Sequence, residues 1–70
     1  MSTETTGRLD RGVAFIADPA AFTATEFEDI YLDLCSVSLT LGLFQGDLVR
    51  GMAVADLARA VLEARQALAV

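Results

Sequence analysis

Three acidic side chains near the middle of the chain have a spacing that could support metal binding or acid–base catalysis. Glu26, Asp29 and Asp33 fall at i, i+3 and i+7, so they share one face of a helix. Carboxylate-bridged metal sites in helical bundles also use a Glu-x-x-His motif, and this chain contains no histidine. We therefore expect a solvated acidic face, and we predict neither a metal ion nor another cofactor.

Cys35 is the single cysteine of the chain. One cysteine cannot form a disulfide within the chain, and the lack of histidine removes Cys/His zinc sites and Cys-His or Ser-His nucleophile pairs. The neighbours Leu34, Val37 and Leu39 are apolar, so we predict that Cys35 is a buried packing residue. The glycines match neither a dinucleotide-binding motif nor a phosphate loop. These features predict a protein that is not an enzyme.

The charge balance disfavours nucleic acids and anionic membranes as partners. The net charge is −5, and the 5 basic residues are arginines scattered along the chain. Binding to a phosphate backbone requires a concentrated positive surface. The longest weakly polar run, 34–44, is shorter than the about 20 residues that a membrane-spanning helix needs. The first residues lack the basic and apolar regions of a secretory signal, so we expect no membrane span and a cytoplasmic location.

The clearest predicted helix begins at Thr23, which has the Thr-x-x-Glu spacing of a capping box with Glu26. Apolar residues then recur at alternating steps of three and four, which is typical of a heptad seam. This seam consists of Phe27, Ile30, Leu34, Val37, Leu41, Phe44 and Leu48. We expect Gly42 to end the helix in the left-handed conformation, with Leu43 folding back on Leu39.

The same segment is also compatible with a β-hairpin. Residues 36–43 alternate small or polar with apolar side chains, and residues 45–47 could form the turn. The alternative fold is therefore α+β, with a β-hairpin at about residues 35–53 and a C-terminal helix. We favour the helix because its seam is longer than the alternation and has both start and stop signals.

Residues 53–69 are rich in strong helix formers and carry one apolar stripe. The stripe consists of Val54, Leu57, Val61, Ala64 and Leu68. The short, glycine-bearing connection at residues 45–51 favours two antiparallel helices. That arrangement would place Arg59 and Arg65 beside the acidic start of the middle helix.

The N-terminal region gives weaker signals. We predict a flexible tail at residues 1–6 and a single helical domain at residues 7–70. Thr6 could cap a short helix that aligns Leu9, Val13 and Ile16, although the segment would also suit a short strand. Asp18 and Pro19 match the N-cap and first positions of a following helical turn.

The apolar content predicts an association surface. Hydrophobic residues make up 54% of a chain of 70 residues, and a chain of this length buries only roughly 60% of its unfolded surface. The middle helix carries a second apolar strip, consisting of Leu32, Cys35, Leu39 and Leu43. The last helix can cover one flank, so we predict that a homodimer or a dedicated partner covers the other. Alternatively, the N-terminal segment closes the core alone through Phe15, Ile16 and Phe22.

The sequence thus predicts an all-α fold, a small helical hairpin or three-helix domain completed by dimerisation. The predicted function is a non-enzymatic protein-interaction or assembly module that self-associates through apolar helix faces. The alternative function is a small accessory subunit of an enzyme or larger complex. The predicted packing and contact residues are Phe27, Ile30, Leu34, Val37, Leu41 and Phe44 of the seam, together with Leu32, Leu39 and Leu43 of the second strip.

Overall fold

The computed structural model describes residues 3–68, and the side chains of residues 6–68. This part of the chain forms three α-helices, α1 (Thr3–Ala17), α2 (Ala24–Leu39) and α3 (Leu48–Leu68). A 3₁₀ turn at Pro19–Ala21 joins α1 to α2, and a π-helical turn at Thr40–Phe44 follows α2. No strand occurs within residues 3–68, so the all-α prediction is confirmed and the β-hairpin alternative is wrong.

The first helix is longer than predicted. α1 already includes Thr3, so it begins before the predicted cap at Thr6 and takes in most of the segment predicted as a tail; residues 1 and 2 lie outside the described part. The segment that would also have suited a strand is helical throughout. After α1, Asp18 and Pro19 occupy the predicted N-cap and first positions of the 3₁₀ turn.

The start of α2 matches the predicted capping box. The Thr23 hydroxyl accepts a hydrogen bond from the Glu26 backbone N–H at 3.1 Å, and the Glu26 carboxylate accepts one from the Thr23 N–H at 2.9 Å. These bonds satisfy two of the backbone donors that a helix N-terminus leaves without partners inside the helix.

The predicted end of the middle helix at Gly42 is wrong. The helix widens into the π-helical turn, and Gly46 takes the left-handed conformation, with φ of 69°. The Gln45 N–H donates to the Thr40 carbonyl at 3.0 Å, and the Asp47 N–H donates to the Leu41 carbonyl at 2.7 Å. Gly42 is instead used for close packing, as described below.

The third helix begins five residues earlier than predicted, at Leu48. Asp47 caps it, because its carboxylate accepts a hydrogen bond from the Arg50 N–H at 3.2 Å. The connection between α2 and α3 is therefore shorter than expected, and the two helices form the predicted antiparallel hairpin.

α1 packs on one side of this hairpin and closes a single core. The buried residues are Phe15, Ile30, Leu34, Val37, Leu41, Val54, Ala58 and Val61. The Phe15 ring lies 5.3 Å from that of Phe22 and 5.6 Å from that of Phe27, measured between centroids. The N-terminal helix thus covers one flank of the hairpin. This agrees with the alternative prediction that the N-terminal segment packs onto the core, although Ile16 remains 37% exposed.

The predicted seam packs into the core as far as Leu41, and its later positions are exposed. Ile30, Leu34, Val37 and Leu41 are buried, whereas Phe44 is 83% exposed. The π-helical turn uses wider i to i+5 spacing, so it rotates the following positions away from the face that an α-helix would continue. Leu48, the last position of the seam, belongs to α3 and is exposed.

The predicted charge pairing between α3 and α2 takes a different form. The Arg65 guanidinium lies over the Phe27 ring, 5.7 Å from its centroid, and Arg59 pairs within α3 with Asp56 at 3.9 Å. Among the described residues, the acidic part of α2 is paired instead with α1, through Arg11 and Asp33 at 3.8 Å.

Within residues 3–68, no helix is long and apolar enough to cross a membrane.

Candidate association face

The α2–α3 hairpin carries an open groove on one of its faces, which we call the hairpin groove. Its first part has a volume of about 500 Å³ and is lined by Tyr31, Cys35, Ser38, Leu39, Ala55, Ala58, Arg59 and Leu62. Its second part, of about 180 Å³, shares Ser38, Leu39 and Ala55 and adds Gly42, Leu43, Leu48, Gly51 and Met52. No described residue of α1 lines either part, so α1 leaves this face of the hairpin open.

Two glycines form the floor of the groove where the start of α3 packs closely against the π-helical turn. A Cβ atom added to Gly51 would lie 3.0 Å from the Cα and N atoms of Gly42 and 3.0 Å from the Ser38 carbonyl oxygen. The Ser38 hydroxyl donates a hydrogen bond of 2.6 Å to the Gly51 carbonyl. These contacts fix the π-helical turn and the end of α2 against the first turn of α3, so the groove has a rigid backbone floor.

Large apolar side chains stand along the groove while remaining open to solvent. Leu39 is 54% exposed, Leu43 is 71% exposed, Leu48 is 63% exposed and Met52 is 68% exposed. Monomeric proteins rarely expose apolar residues in contiguous groups of this kind, and such groups mark contact sites. The groove is therefore the strongest candidate for a binding face.

The groove carries little charge. Arg59 is the one charged residue among those lining it, and it is paired with Asp56. Asp47 and Arg50, at the adjoining end of the hairpin, pair with each other at 3.3 Å. Residues 34–70 contain three acidic and three basic side chains, whereas residues 1–33 contain seven and two, so the first 33 residues carry the entire net charge of −5.

Tyr31 and Cys35 are neighbouring polar residues in the first part of the groove, which Ser38 and Arg59 also line. Cys35 raises the pKa of the Tyr31 phenol, chiefly because two ionised groups would repel each other, and further through a hydrogen bond and partial desolvation. The phenol is therefore neutral at physiological pH. Cys35 packs against the core, as predicted, but it is only partly buried.

The structure separates the predicted contact residues into three groups. Ile30, Leu34, Val37 and Leu41 belong to the core of the monomer and are closed to a partner. Phe27 is partly buried against that core, and Leu32 and Phe44 are exposed outside the groove lining. Only Leu39 and Leu43 line the hairpin groove, so the strip predicted on α2 contributes one of its two walls.

The α3 wall of the groove was not predicted from the sequence. Leu48, Met52, Ala55, Arg59 and Leu62 follow each other at steps of four, three, four and three, which places them on one helix face. This spacing is visible in the sequence, but the connection was predicted to extend to Gly51, and only Leu48 and Met52 among these residues are large, apolar and exposed.

The predicted acidic face does not converge into a site. Glu26 is used in the capping box, Asp33 pairs with Arg11, and Asp29 is exposed. Within the described residues, no group of three or more potential ligands could hold a metal ion.

A second open groove, of about 380 Å³, lies between α1 and α3 and is lined by Leu9, Leu41, Arg50, Ala53, Val54 and Leu57.

Comparison with known proteins gives no match to a family model, to a curated protein or to a solved structure.

Proposed function

We propose that this chain is a non-catalytic association module that binds another protein surface through the hairpin groove. The observation that carries the proposal is the row of solvent-exposed apolar side chains, from Leu39 to Met52, beside a rigid floor of Gly42 and Gly51. Burying such side chains gains roughly 25 cal/mol for each Å² of apolar surface removed from water. A fixed floor limits the conformational entropy lost on binding.

The chemistry of the groove favours a protein partner. A nucleic acid or an anionic membrane would need a basic surface, and Arg59 is the one basic residue of the described lining. Apolar side chains around a few uncharged polar groups, here Ser38, Tyr31 and Cys35, are typical of the central part of protein–protein interfaces. The unpaired cysteine is compatible with a reducing compartment, so we place the module in the cytoplasm as part of the proposal.

Site-specific photo-cross-linking in the native cells tests this proposal. A photoreactive phenylalanine analogue is placed at Leu39, which lines both parts of the groove, and separately at Ala53, an exposed residue of the other groove. We expect cross-linked protein from position 39 and little from position 53. Equal yields from the two positions, or none from position 39, would contradict the proposal.

The mass of the cross-linked product identifies the class of partner. A product of twice the 7.4 kDa chain mass indicates another copy of the chain. A product of defined larger mass indicates a dedicated partner, and an enzyme in that product would favour the accessory-subunit alternative.

A further inference from the structure

We infer that the partner in the hairpin groove is a second copy of this chain, an inference that rests on the proposed function. The groove has a shape that can match itself. Its floor is low where Gly42, Gly51 and Ala55 carry little or no side chain, and its rims rise at Leu39, Leu43 and Met52. A twofold axis lying along this face lets the rims of each copy enter the low part of the other, as in isologous dimers.

The charge distribution favours this pairing. Two molecules with net charge −5 repel each other, and the repulsion is smallest when the neutral regions meet. Residues 34–70, which are neutral in sum, include all of α3 and nearly all of the groove lining. In this arrangement the acidic residues at the start of α2 need not enter the centre of the contact.

The size of the face is compatible with a stable dimer. Specific interfaces bury about 800 Å² on each partner, which is roughly one sixth of the 4567 Å² accessible surface of this chain. The groove involves α2, the π-helical turn and α3 over most of the hairpin. Two hairpins packed face to face form a four-helix bundle, with the α1 helices on the outside, similar to bundles assembled from helical hairpins.

Sedimentation equilibrium with two matched variants tests the inference. Ala55→Glu places a carboxylate in the floor of the hairpin groove, and Ala53→Glu places the same group in the α1–α3 groove. Both alanines are exposed in α3, so the two variants should fold equally well in the monomer. Circular dichroism checks that they do.

We expect a wild-type dimer with a dissociation constant in roughly the micromolar range. Ala55→Glu should weaken dimerisation by about 100-fold or more, because each copy would bury an unpaired charge. Ala53→Glu should change the constant by less than about threefold, as expected for a surface substitution away from the contact.

Other outcomes overturn the inference in distinguishable ways. A wild-type chain that stays monomeric up to about 500 μM, several hundredfold above a micromolar constant, excludes self-association. The proposed function then survives only if photo-cross-linking at position 39 captures a different protein. A dimer disrupted by Ala53→Glu but not by Ala55→Glu would place the contact in the α1–α3 groove. Equal effects of both variants would show that added charge alone prevents association.

Discussion

The Ser38 hydroxyl and the Gly51 carbonyl are joined by a hydrogen bond of 2.6 Å that links the end of α2 to the first turn of α3. Beside this bond, the backbones of Gly42 and Gly51 lie so close together that a Cβ atom on Gly51 would be 3.0 Å from the Cα and N atoms of Gly42. Together with the buried core, these three residues position α3 relative to α2 and form the floor of the hairpin groove.

Gly51→Ala should destabilise the protein. The new Cβ would lie 3.0 Å from backbone atoms of Gly42 and Ser38, and these atoms cannot move away without displacing α2. We expect a net loss of up to about 2 kcal/mol, because overpacking of this kind costs about 1–3 kcal/mol and the better helix propensity of alanine offsets about 1 kcal/mol of it. Urea unfolding at a fixed protein concentration measures the difference.

Gly7→Ala is the matched control, since Gly7 also lies within a helix and, apart from its chain neighbours and its own helix backbone, no atom of the described residues is within 4 Å of its added Cβ. It should stabilise the protein by up to about 1 kcal/mol. If both substitutions stabilised the protein equally, the close approach of Gly42 and Gly51 would not exist in solution.

Ser38→Ala should remove the hydrogen bond to the Gly51 carbonyl. The expected cost is about 1 kcal/mol in the free energy of unfolding, typical of a neutral hydrogen bond. Ser36→Ala provides the control, because Ser36 is exposed on the same helix and experiences the same change in helix propensity. Thermal unfolding should show a lower Tm for the Ser38 variant alone, and identical Tm values would indicate that the interhelical bond contributes nothing.

Thr23→Ala should weaken the start of α2. The substitution removes the side-chain acceptor of the Glu26 N–H, and loss of an N-cap of this kind costs about 1 kcal/mol. Thr25→Ala changes an exposed threonine two residues later, inside the first turn, and should be neutral or slightly stabilising. Chemical denaturation of the two variants compares them directly, and equal stabilities would argue against the capping box.

Titration of Tyr31 should occur above the ordinary tyrosine pKa of 10.0, because Cys35 raises it. The folded state then holds the phenol proton more tightly than the unfolded state does. The associated stability is complete below pH 10.0 and is lost as the pH rises through the raised pKa. The chain contains a single tyrosine, Tyr31, and no tryptophan, so the phenolate absorbance measures the ionisation of Tyr31 alone.

Cys35→Ser is the control for this titration. It removes the ionisable thiol while keeping a small polar side chain, so the pKa of Tyr31 should move back toward 10.0. An unchanged titration curve would show that Cys35 is not the cause of the shift.

The features that could be predicted from the sequence are those with local causes. The capping box of Thr23 and Glu26 needs only four consecutive residues, and its predicted bonds are present. The core seam from Ile30 to Leu41 follows from helical periodicity, which is a property of α2 itself.

The features that could not be predicted depend on contacts between helices. Gly42 and Gly46 are both acceptable at a helix end, and the choice between them is decided by the packing of Gly51 against Gly42. Likewise, whether Met52 or Val54 is exposed depends on which side of the hairpin α1 covers. The sequence shows two apolar faces on α3 without ranking them.

The π-helical turn at Thr40–Phe44 determines the direction around the helix axis in which the Leu43 and Phe44 side chains point. Each residue advances an α-helix by about 100°, so one extra residue in a turn redirects everything that follows by roughly that angle. Deleting a single residue from this turn would bring the later side chains back toward the interior and turn others outward. Which side chains are exposed at this turn therefore depends on the number of residues in the turn as much as on their types.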